Sequence, residues 1–417
     1  MDPILGNCDL AHLRKRKSFK WRTYPPQVLP AFVAEMDFTA AEPIGAAVRD
    51  ALALGDTGYP HVGELGEAFA SFASGRFGWA PAPGRVFAAP DVMTAIAEVL
   101  LAVTPHGSGV VINPPVYGPF YFRLGFISRP VVEVPLLPGA DGGYDLDLDA
   151  IDRALADPGV GAYLLCSPHN PIGRVWTREE LLAVAGLCHR HGVALLVDEI
   201  HAPLVMPGER FVPFGSLDHE MTERAYVFTS ASKGWNIAGL KCGLALAGSE
   251  EAAAVLAERW EALLASHLGV LGSVAAFTQA LDWLDAVVAQ IDENRRLLSR
   301  LLSEHLPEVG YRPGAATFLA WLDCRKLGLD DDPAAVFLDR GDVSLSPGPE
   351  FGRKGAGFAR LNIGTSPELV TEAVRRMTAA IAAERLSRSR GTVHIRRAFA
   401  PESFLRPGSR QRRIPAR

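Results

Sequence analysis

The sequence predicts an α/β fold: a large domain with a mostly parallel central sheet and helices on both faces, plus a smaller α+β domain. First, short apolar runs alternate with segments of helical spacing between residues 86 and 247. Second, these runs are apolar throughout, as in strands that helices cover on both sides. Third, 417 residues exceed the size that one core usually supports, which favours two domains.

Each element has a local signal in the sequence. Helical spacing of apolar residues predicts helices over 42–54, 64–77, 92–103, 148–156 and 177–191, and Gly55 stops the first of them. Apolar runs predict strands over 86–89, 109–113, 131–136, 162–166, 193–197, 225–228 and 243–246. Long helices are expected within 251–303, and strands over 318–322 and 359–362 with a helix over 366–385 indicate the smaller domain.

The chain divides into four parts. We expect residues 1–45 to pack with the small domain, residues 46–285 to form the large domain, and residues 286–390 to form the small C-terminal domain. Residues 391–417 contain seven arginines, three prolines and a single acidic residue, Glu402. This composition predicts a disordered basic tail, with a contact to nucleic acid or a membrane as the weaker alternative.

Composition narrows the class of protein. A net charge of −5 argues against a nucleic-acid-binding surface spread over the whole chain. The five cysteines are scattered and include no CxxC pair, which is typical of reduced thiols in the cytoplasm and predicts no metal site. The first 21 residues are charged and lack the apolar core of a signal peptide. We therefore expect a cytoplasmic protein that does not enter a membrane.

The segment from Thr229 to Lys241 is the strongest single motif. An apolar strand runs into small hydroxyl residues, then Lys233, then a glycine-rich return. Burial and neighbouring cations lower the pKa of a lysine, and only the neutral amine is nucleophilic. Lys233 is therefore a candidate to hold pyridoxal 5′-phosphate (PLP), with Ser230, Ser232 and Lys241 at its phosphate. From this segment alone, a solvated loop lysine is an equal alternative.

Other candidates follow the ends of other strands. Asp198 could pair with the protonated pyridine nitrogen of PLP, or it could cap a helix. His201 and Asn170 could donate to the phenolate oxygen, although a structural histidine and an ordinary Asn-Pro turn are the alternatives. Arg360 interrupts an apolar strand and needs an anion, either a substrate carboxylate or a structural acid.

Two further regions complete the candidate site. Tyr117 could stack on the cofactor ring, or it could belong to the core. Val92 and Met93 begin a helix directly after a strand, so that their N–H groups could bind phosphate. None of the candidate residues identifies a PLP site by itself. Their order and spacing along the chain, taken together, are what make the prediction specific.

These motifs resemble fold-type I PLP enzymes of the class I/II aminotransferase superfamily, and most closely the cystathionine β-lyase-like C–S lyases. The similarity runs from about Lys20 to Arg385 and rests on six groups of residues. They are Ala34-Glu35-Met36-Asp37-Phe38, Gly58-Tyr59, Pro114-Pro115-Val116-Tyr117, residues 166–176 around Asn170, Asp198-Glu199-Ile200-His201, and residues 319–323 with Ser346-Pro347-Gly348. The histidine at 201 is typical of the lyases, since the broader aminotransferases usually have tyrosine there.

The resemblance implies a role for each candidate. Lys233 would be the Schiff-base lysine and proton shuttle, Asp198 the partner of the pyridine nitrogen, and Arg360 the ligand of the substrate carboxylate. Tyr59 would reach the phosphate of a neighbouring subunit, so that the active unit would be a homodimer. One departure concerns the phosphate loop, which reads Pro90-Asp91-Val92-Met93 where the family usually has Gly-Val-Val.

The resemblance also implies a reaction. We expect β-elimination from cystathionine or another cysteine S-conjugate, which yields a thiol, pyruvate and ammonia. An aminotransferase, or a decarboxylating or oxidative variant, would use the same residues and remains an alternative. A regulatory or scaffold protein on the same fold is a remote alternative, because the set of catalytic residues is complete.

Overall fold

The computed structural model describes residues 1–139, 142–259 and 264–389. In this part of the chain the helices are α1 (Leu10–Leu13), α2 (Phe19–Arg22), α3 (Glu42–Leu54), α4 (Leu65–Phe77), α5 (Val92–Val103), α6 (Pro119–Phe126), α7 (Leu148–Leu155), α8 (Arg178–His191), α9 (Met221–Arg224), α10 (Ala231–Gly234), α11 (Glu250–Glu258), α12 (His267–Gln279), α13 (Leu281–His305), α14 (Pro333–Gly341) and α15 (Pro367–Ser389).

The strands are short and mostly buried. They are β1 (Leu29–Pro30), β2 (Val86–Ala89), β3 (Gly109–Ile112), β4 (Val131–Glu133), β5 (Leu137–Pro138), β6 (Tyr144–Asp145), β7 (Val160–Cys166), β8 (Ala194–Asp198), β9 (Tyr226–Thr229), β10 (Gly243–Ala247), β11 (Gly310–Tyr311), β12 (Leu319–Asp323), β13 (Val343–Ser344), β14 (Ser346–Pro347) and β15 (Phe358–Asn362).

A seven-stranded sheet forms the large part of the molecule, in the order β2-β10-β9-β8-β7-β3-β4. Strand β10 runs antiparallel to both of its neighbours, and the other adjacent pairs are parallel. Strands β3, β8 and β9 are apolar except for Asp198 and Thr229 at the ends of β8 and β9, because two separate hydrophobic clusters pack on the sheet. The predicted α/β class with a mostly parallel sheet is confirmed.

A second sheet belongs to the C-terminal part of the chain. It has four strands in the order β11-β12-β15-β14, all paired antiparallel, and α14 packs against α15 beside it. Helix α13 runs without a break across residues 285 and 286, where the sequence places the domain boundary. The division into domains remains a prediction, and the basic tail at 391–417 lies outside the described residues.

The N-terminal segment is tied to this smaller sheet region. Strand β1 pairs in parallel with β13, and the N–H of Asn362 donates to the carbonyl of Ala31. The N–H of Asp37 donates to the carbonyl of Gly364 in the same way. Residues 31–37 are therefore held beside β15, which places them over the end of the large sheet.

Most predicted boundaries agree with the structure to within two residues. The exception among the strands is β4, which ends at Glu133, three residues before the predicted end at Leu136. The backbone beyond it still bonds to the segment at the end of β3, since Val134 N donates to Ile112 O and Leu136 N donates to Pro114 O. No helix in the described residues is long and apolar enough to cross a membrane.

Candidate active site

Three loops at the carboxyl edge of the central sheet carry the candidate residues. Cys166 lies opposite Asp198, and Asp198 lies opposite Phe228, so that β7, β8 and β9 end side by side. Asn170 follows β7, Asp198 ends β8, and Lys233 lies on the short helix α10 directly after β9. Open α/β sheets bind their ligands at this edge. We call Asn170, Asp198, His201, Lys233 and Arg360 the inner cluster.

Lys233 is half-buried and points at the N-terminal segment. Its Nζ donates to the carbonyl of Ala34 at 2.8 Å. Burial, and then the nearby charge of Arg360, lower the pKa of Lys233 to about 8, although Glu35 and Asp198 oppose this shift. The amine is therefore neutral in a much larger fraction of molecules at neutral pH than an ordinary lysine is. This favours the imine-forming interpretation over the solvated loop lysine.

Asp198 is a buried carboxyl group without a cationic partner. It is 3% exposed, and its Oδ1 accepts from the N–H of Ile200 at 3.1 Å. Burial raises its pKa to about 7. The short 3-10 helix that follows begins after His201 and uses no side-chain cap, so Asp198 does not cap a helix. Among the described residues it forms no ion pair, which leaves the carboxylate available for a cationic ligand.

His201 and Arg360 each have a buried nitrogen atom without a partner. His201 is 2% exposed, and its Nδ1 has no hydrogen bond among the described residues. Burial, with Lys233 and Arg360, lowers the pKa of His201 to about 3, so that the ring is neutral at neutral pH. The Nε of Arg360 likewise has no partner. A buried polar atom without a partner costs free energy, which indicates a missing ligand.

Arg360 projects from β15 toward Asn170. Its Nη1 donates to Asn170 Oδ1 at 3.1 Å, and its Nη2 donates to Phe32 O at 2.9 Å and to Ser346 Oγ at 3.0 Å. The guanidinium carbon also lies 4.8 Å from the ring centre of Phe351. Within the described residues Arg360 forms no ion pair with an acid, so the structural ion pair proposed as an alternative is not observed. The amide oxygen of Asn170 faces this arginine, so its NH₂ group remains available to donate.

Residues 32–37 cross over the inner cluster, and we call them the N-terminal strap. The strap carbonyls of Phe32 and Ala34 accept from Arg360 and Lys233. The side chain of Asn236 forms two hydrogen bonds with the backbone of Met36. Its Oδ1 accepts from Met36 N and its Nδ2 donates to Met36 O, each at 2.8 Å. The strap therefore links the lysine loop to the small sheet.

Two further residues, Asn362 and Lys20, hold the strap through four contacts. Asn362 Nδ2 donates to the carbonyls of Val33 and Glu35, each at 2.7 Å. Lys20 forms a buried ion pair with Asp37 at 2.8 Å and donates to Glu35 O at 3.0 Å. Sequence reasoning noted this segment as a family mark but gave no role to Asn236, Asn362 or Ser346.

A second group of candidates lies toward the N-terminus of α5. We call Asp91, Val92, Ser230, Ser232 and Lys241 the outer cluster. Lys241 is about half exposed, and its Nζ pairs with Asp91 Oδ2. Ser230 donates its hydroxyl to Cys242 O at 2.6 Å and accepts from Ser232 N at 3.0 Å. Gly243 permits the close approach, because a Cβ there would lie 2.8 Å from the nitrogen of Val92.

The remaining candidates differ sharply in exposure. Met93 and Tyr117 are half-buried against the hydrophobic cluster on one side of the sheet. Tyr117 lies with its ring centre 5.5 Å from that of Phe120, and burial raises its pKa to about 12. Tyr59 is 91% exposed. The structure thus brings the candidates together except for Tyr59, which it places on the surface.

The polar groups of the inner cluster that remain available for a ligand match the chemistry of PLP. The cofactor has an aldehyde, a protonated pyridine nitrogen, a phenolate oxygen and a phosphate. A nucleophilic amine, an unpaired carboxylate and an unpartnered imidazole nitrogen lie together at the sheet edge. Val92 and Met93 are the first two residues of a helix of 12 residues, where backbone N–H groups have no intrahelical partner. The donor set therefore matches the chemistry of this cofactor.

Comparison with known proteins gives the family. A model of the aminotransferase class I and II family matches residues 44–377. A Mycobacterium tuberculosis protein provisionally named as a cystathionine β-lyase is 44% identical, over 90% of this chain and 97% of its own length. Cystathionine β-lyase PatB of Bacillus subtilis is 35% identical, over 85% and 92%. The crystal structure of cystalysin from Treponema denticola, which contains PLP, has a TM-score of 0.84 at 27% identity, over 89% and 97%.

These similarities extend over almost the whole chain, and the site residues lie inside them. The resemblance inferred from the sequence is confirmed, as are the PLP-transferase fold of type I and the PLP cofactor. The chain therefore belongs to the aminotransferase class I and II family, and within it to the PLP-dependent enzymes that resemble cystathionine β-lyase.

Proposed function

We propose that this enzyme is a carbon–sulfur β-lyase that cleaves cystathionine or another cysteine S-conjugate. The observation that carries the proposal is that one cluster holds both Lys233, an amine of lowered pKa, and Arg360, which forms no ion pair with any of the described residues. Relatives named cystathionine β-lyase support the reaction class. Water and the conjugate give a thiol, pyruvate and ammonia.

The inner cluster supplies the groups that this reaction needs. Arg360 binds the α-carboxylate of the substrate, because its planar guanidinium is the natural partner of a carboxylate. The Lys233 amine is the attachment point of the cofactor, and when free it takes the proton from the substrate Cα. Bound PLP supplies an electron sink at that carbon. Positioned proton transfer of this kind contributes about 10²–10⁴-fold to the rate.

The other proposed roles concern cofactor binding. Asp198 pairs with the pyridine nitrogen, and its burial makes the pairing strong because water does not compete. Asn170 and His201 donate to the phenolate oxygen, and Tyr117 stacks on the ring. The phosphate binds to Ser232, Lys241 and the N–H groups of Val92 and Met93. Ser230 supports this site through Ser232, since its own hydroxyl proton goes to Cys242 O.

We also propose a homodimer as the active unit. Tyr59 is 91% exposed, and on the neighbouring helix α3 Leu54 is 84% exposed. Exposed large apolar side chains grouped in this way are typical of interfaces between proteins. In the dimer Tyr59 reaches the phosphate of the other subunit. Sedimentation equilibrium of the wild-type protein and of Leu54→Glu tests this, with a monomeric wild type as the contradicting result.

A substrate panel tests the reaction. The holoenzyme is incubated with cystathionine and with S-alkyl and S-aryl cysteines, without any 2-oxo acid, and both pyruvate and free thiol are measured. Equal amounts of the two products are expected. Amino-group transfer that requires an added 2-oxo acid, with no thiol released, would instead identify an aminotransferase.

A further inference from the structure

Asp91 occupies an unusual place for an acid, beside a phosphate site. Its Oδ1 caps helix α5 by accepting from Thr94 N at 2.7 Å, and its Oδ2 pairs with Lys241. Burial raises the pKa of the Asp91 carboxyl, but the bonds from Lys241 and Thr94 outweigh it, so that the net pKa lies below the ordinary value. Asp91 is therefore an anion at neutral pH.

The same contacts reduce what the outer cluster can offer a phosphate. Lys241 already has a counter-ion in Asp91, and the Ser230 hydroxyl proton already goes to Cys242 O. What remains for the phosphate is the Ser232 hydroxyl, the N–H groups of Val92 and Met93, and a lysine shared with Asp91. Gly243 holds the backbone of residues 91 and 92 close to β10, which fixes Asp91 next to these donors.

We propose that Asp91 weakens the binding of the PLP phosphate, so that this enzyme retains its cofactor less tightly than its fold would otherwise allow. The inference rests on the proposed function only in taking PLP as the ligand. Two effects act in the same direction. The carboxylate repels the phosphate dianion across the helix terminus, and it neutralises Lys241, which would otherwise attract the phosphate.

The alternative role for Asp91 predicts the opposite result. If Asp91 served to aim Lys241 at the phosphate, removal of its charge would weaken cofactor binding. Asn at the same position keeps the helix cap, because Asn and Asp are about equally good N-caps. Asp91→Asn therefore removes the charge and keeps the local structure, which separates the two roles.

Binding to the cofactor-free enzyme is the direct test. The dissociation constants of PLP and of pyridoxal, which lacks the phosphate, are measured by absorbance titration for wild type and Asp91→Asn. We expect the PLP constant of Asp91→Asn to be about tenfold lower than that of wild type, and the pyridoxal constant to be unchanged. The difference between the two proteins should shrink in 1 M salt.

Two further variants control this experiment. Asp147 caps helix α7 through Ala150 N at 2.9 Å, as Asp91 caps α5, but it has no lysine partner among the described residues. Asp147→Asn should bind PLP like wild type. In a Lys241→Ala background, the gain from Asp91→Asn should fall to a few-fold, because only the direct repulsion remains. Circular dichroism establishes that each variant is folded.

The outcomes separate this inference from the proposed function. An Asp91→Asn variant that binds PLP as weakly as wild type, or more weakly, overturns the inference. Equal gains for PLP and pyridoxal would also overturn it, because the effect would not act at the phosphate. A wild-type protein that binds neither compound would overturn the cofactor assignment itself.

Discussion

The inner and outer clusters belong to the same candidate active site but are built differently. Each cationic side chain of the inner cluster is held by uncharged oxygens, such as Ala34 O for Lys233, and Phe32 O and Ser346 Oγ for Arg360. In the outer cluster, the cation Lys241 is held by a carboxylate and is about half exposed. Carbonyl oxygens orient a charged side chain without neutralising it, whereas Asp91 neutralises Lys241.

This difference shows how a binding site can hold a cationic side chain in place and still leave its charge free to bind a ligand. Lys233 and Arg360 have no acid partner in the described residues, so both remain able to exchange a carbonyl for a ligand. The exchange involves neutral oxygens, and the segment that supplies them, the N-terminal strap, is held by other bonds as well. A ligand of Lys241 must instead compete with a full negative charge. We therefore expect the largest mutational effects in the inner cluster.

The largest effect should come from Lys233. Lys233→Ala is expected to lower the rate of pyruvate release at least about 10³-fold, because the variant loses the proton-transferring amine. Steady-state kinetics with added PLP measures this. Lys326 is an exposed lysine that follows strand β12, and Lys326→Ala should be as active as wild type. A Lys233→Ala enzyme with more than a tenth of wild-type activity would contradict the role of the inner cluster.

The next largest effect should come from Arg360. Arg360→Lys keeps a positive charge but loses the planar pair of donors, so that kcat/KM should fall about 100-fold, mainly through KM. The matched test uses a substrate whose carboxylate is replaced by a carboxamide. Wild type and variant should then differ little, because the arginine has no anion to bind. A 100-fold difference with both substrates would show that Arg360 acts on folding rather than on the carboxylate.

The third prediction is that burial of the Asp198 carboxylate lowers the free energy of unfolding of the cofactor-free protein. Its folded pKa of about 7 lies above the ordinary value of 3.8, because it is buried. Between these values the folded protein binds the proton more tightly than the unfolded chain does. The stability of the cofactor-free protein therefore falls as pH rises from about 4 to about 7, and it remains lower above pH 7. Glu199, with a pKa raised to about 8 by burial, adds to the same trend.

Asp198→Asn removes this contribution, because Asn stays neutral and still accepts from Ile200 N. The free energy of unfolding of the cofactor-free variant should exceed that of wild type by about 2–4 kcal/mol at pH 8, and by less at pH 5. Urea unfolding at the two pH values measures the difference. Asp218 is exposed, and Asp218→Asn should change nothing. A variant less stable than wild type at pH 8 would mean that the carboxylate is stabilised in the folded protein.

Sequence reasoning located the inner cluster because each of its residues follows or interrupts an apolar strand. Asp198 and Lys233 are polar at the ends of buried strands, and Arg360 lies inside one, so local pattern alone identified them. The parallel sheet then brought the first two together, since the carboxyl ends of parallel strands share one edge. The fold class could be derived in this way, whereas PLP was one of two open interpretations until the resemblance to the class I/II aminotransferases favoured it.

The strap and the Asp91–Lys241 pair could not be derived from pattern. Residues 32–37 act through backbone carbonyls, which every residue has, so no residue type marks them. Asp91 was recognised as a departure from the family, but its partner lies 150 residues away in the chain. Whether an acid caps a helix, binds a lysine or does both depends on tertiary distances that periodicity does not contain.

The smallest effect in the comparison concerns Asn236, which joins the strap to the lysine loop. Asn236 has a φ of 58°, a left-handed conformation that glycine adopts without steric strain. Asn236→Gly therefore removes the side chain and keeps the backbone conformation. Loss of its two bonds to Met36 should lower the free energy of unfolding by about 1–2 kcal/mol. Hydrogen exchange of residues 32–37 should also quicken, because the strap opens more often.

Asp342 has a φ of 50° and lies outside the site, so Asp342→Gly measures the backbone effect alone. If both variants lose the same stability and exchange remains slow in the strap, the other bonds hold the strap without Asn236, and its link to the lysine loop is unnecessary.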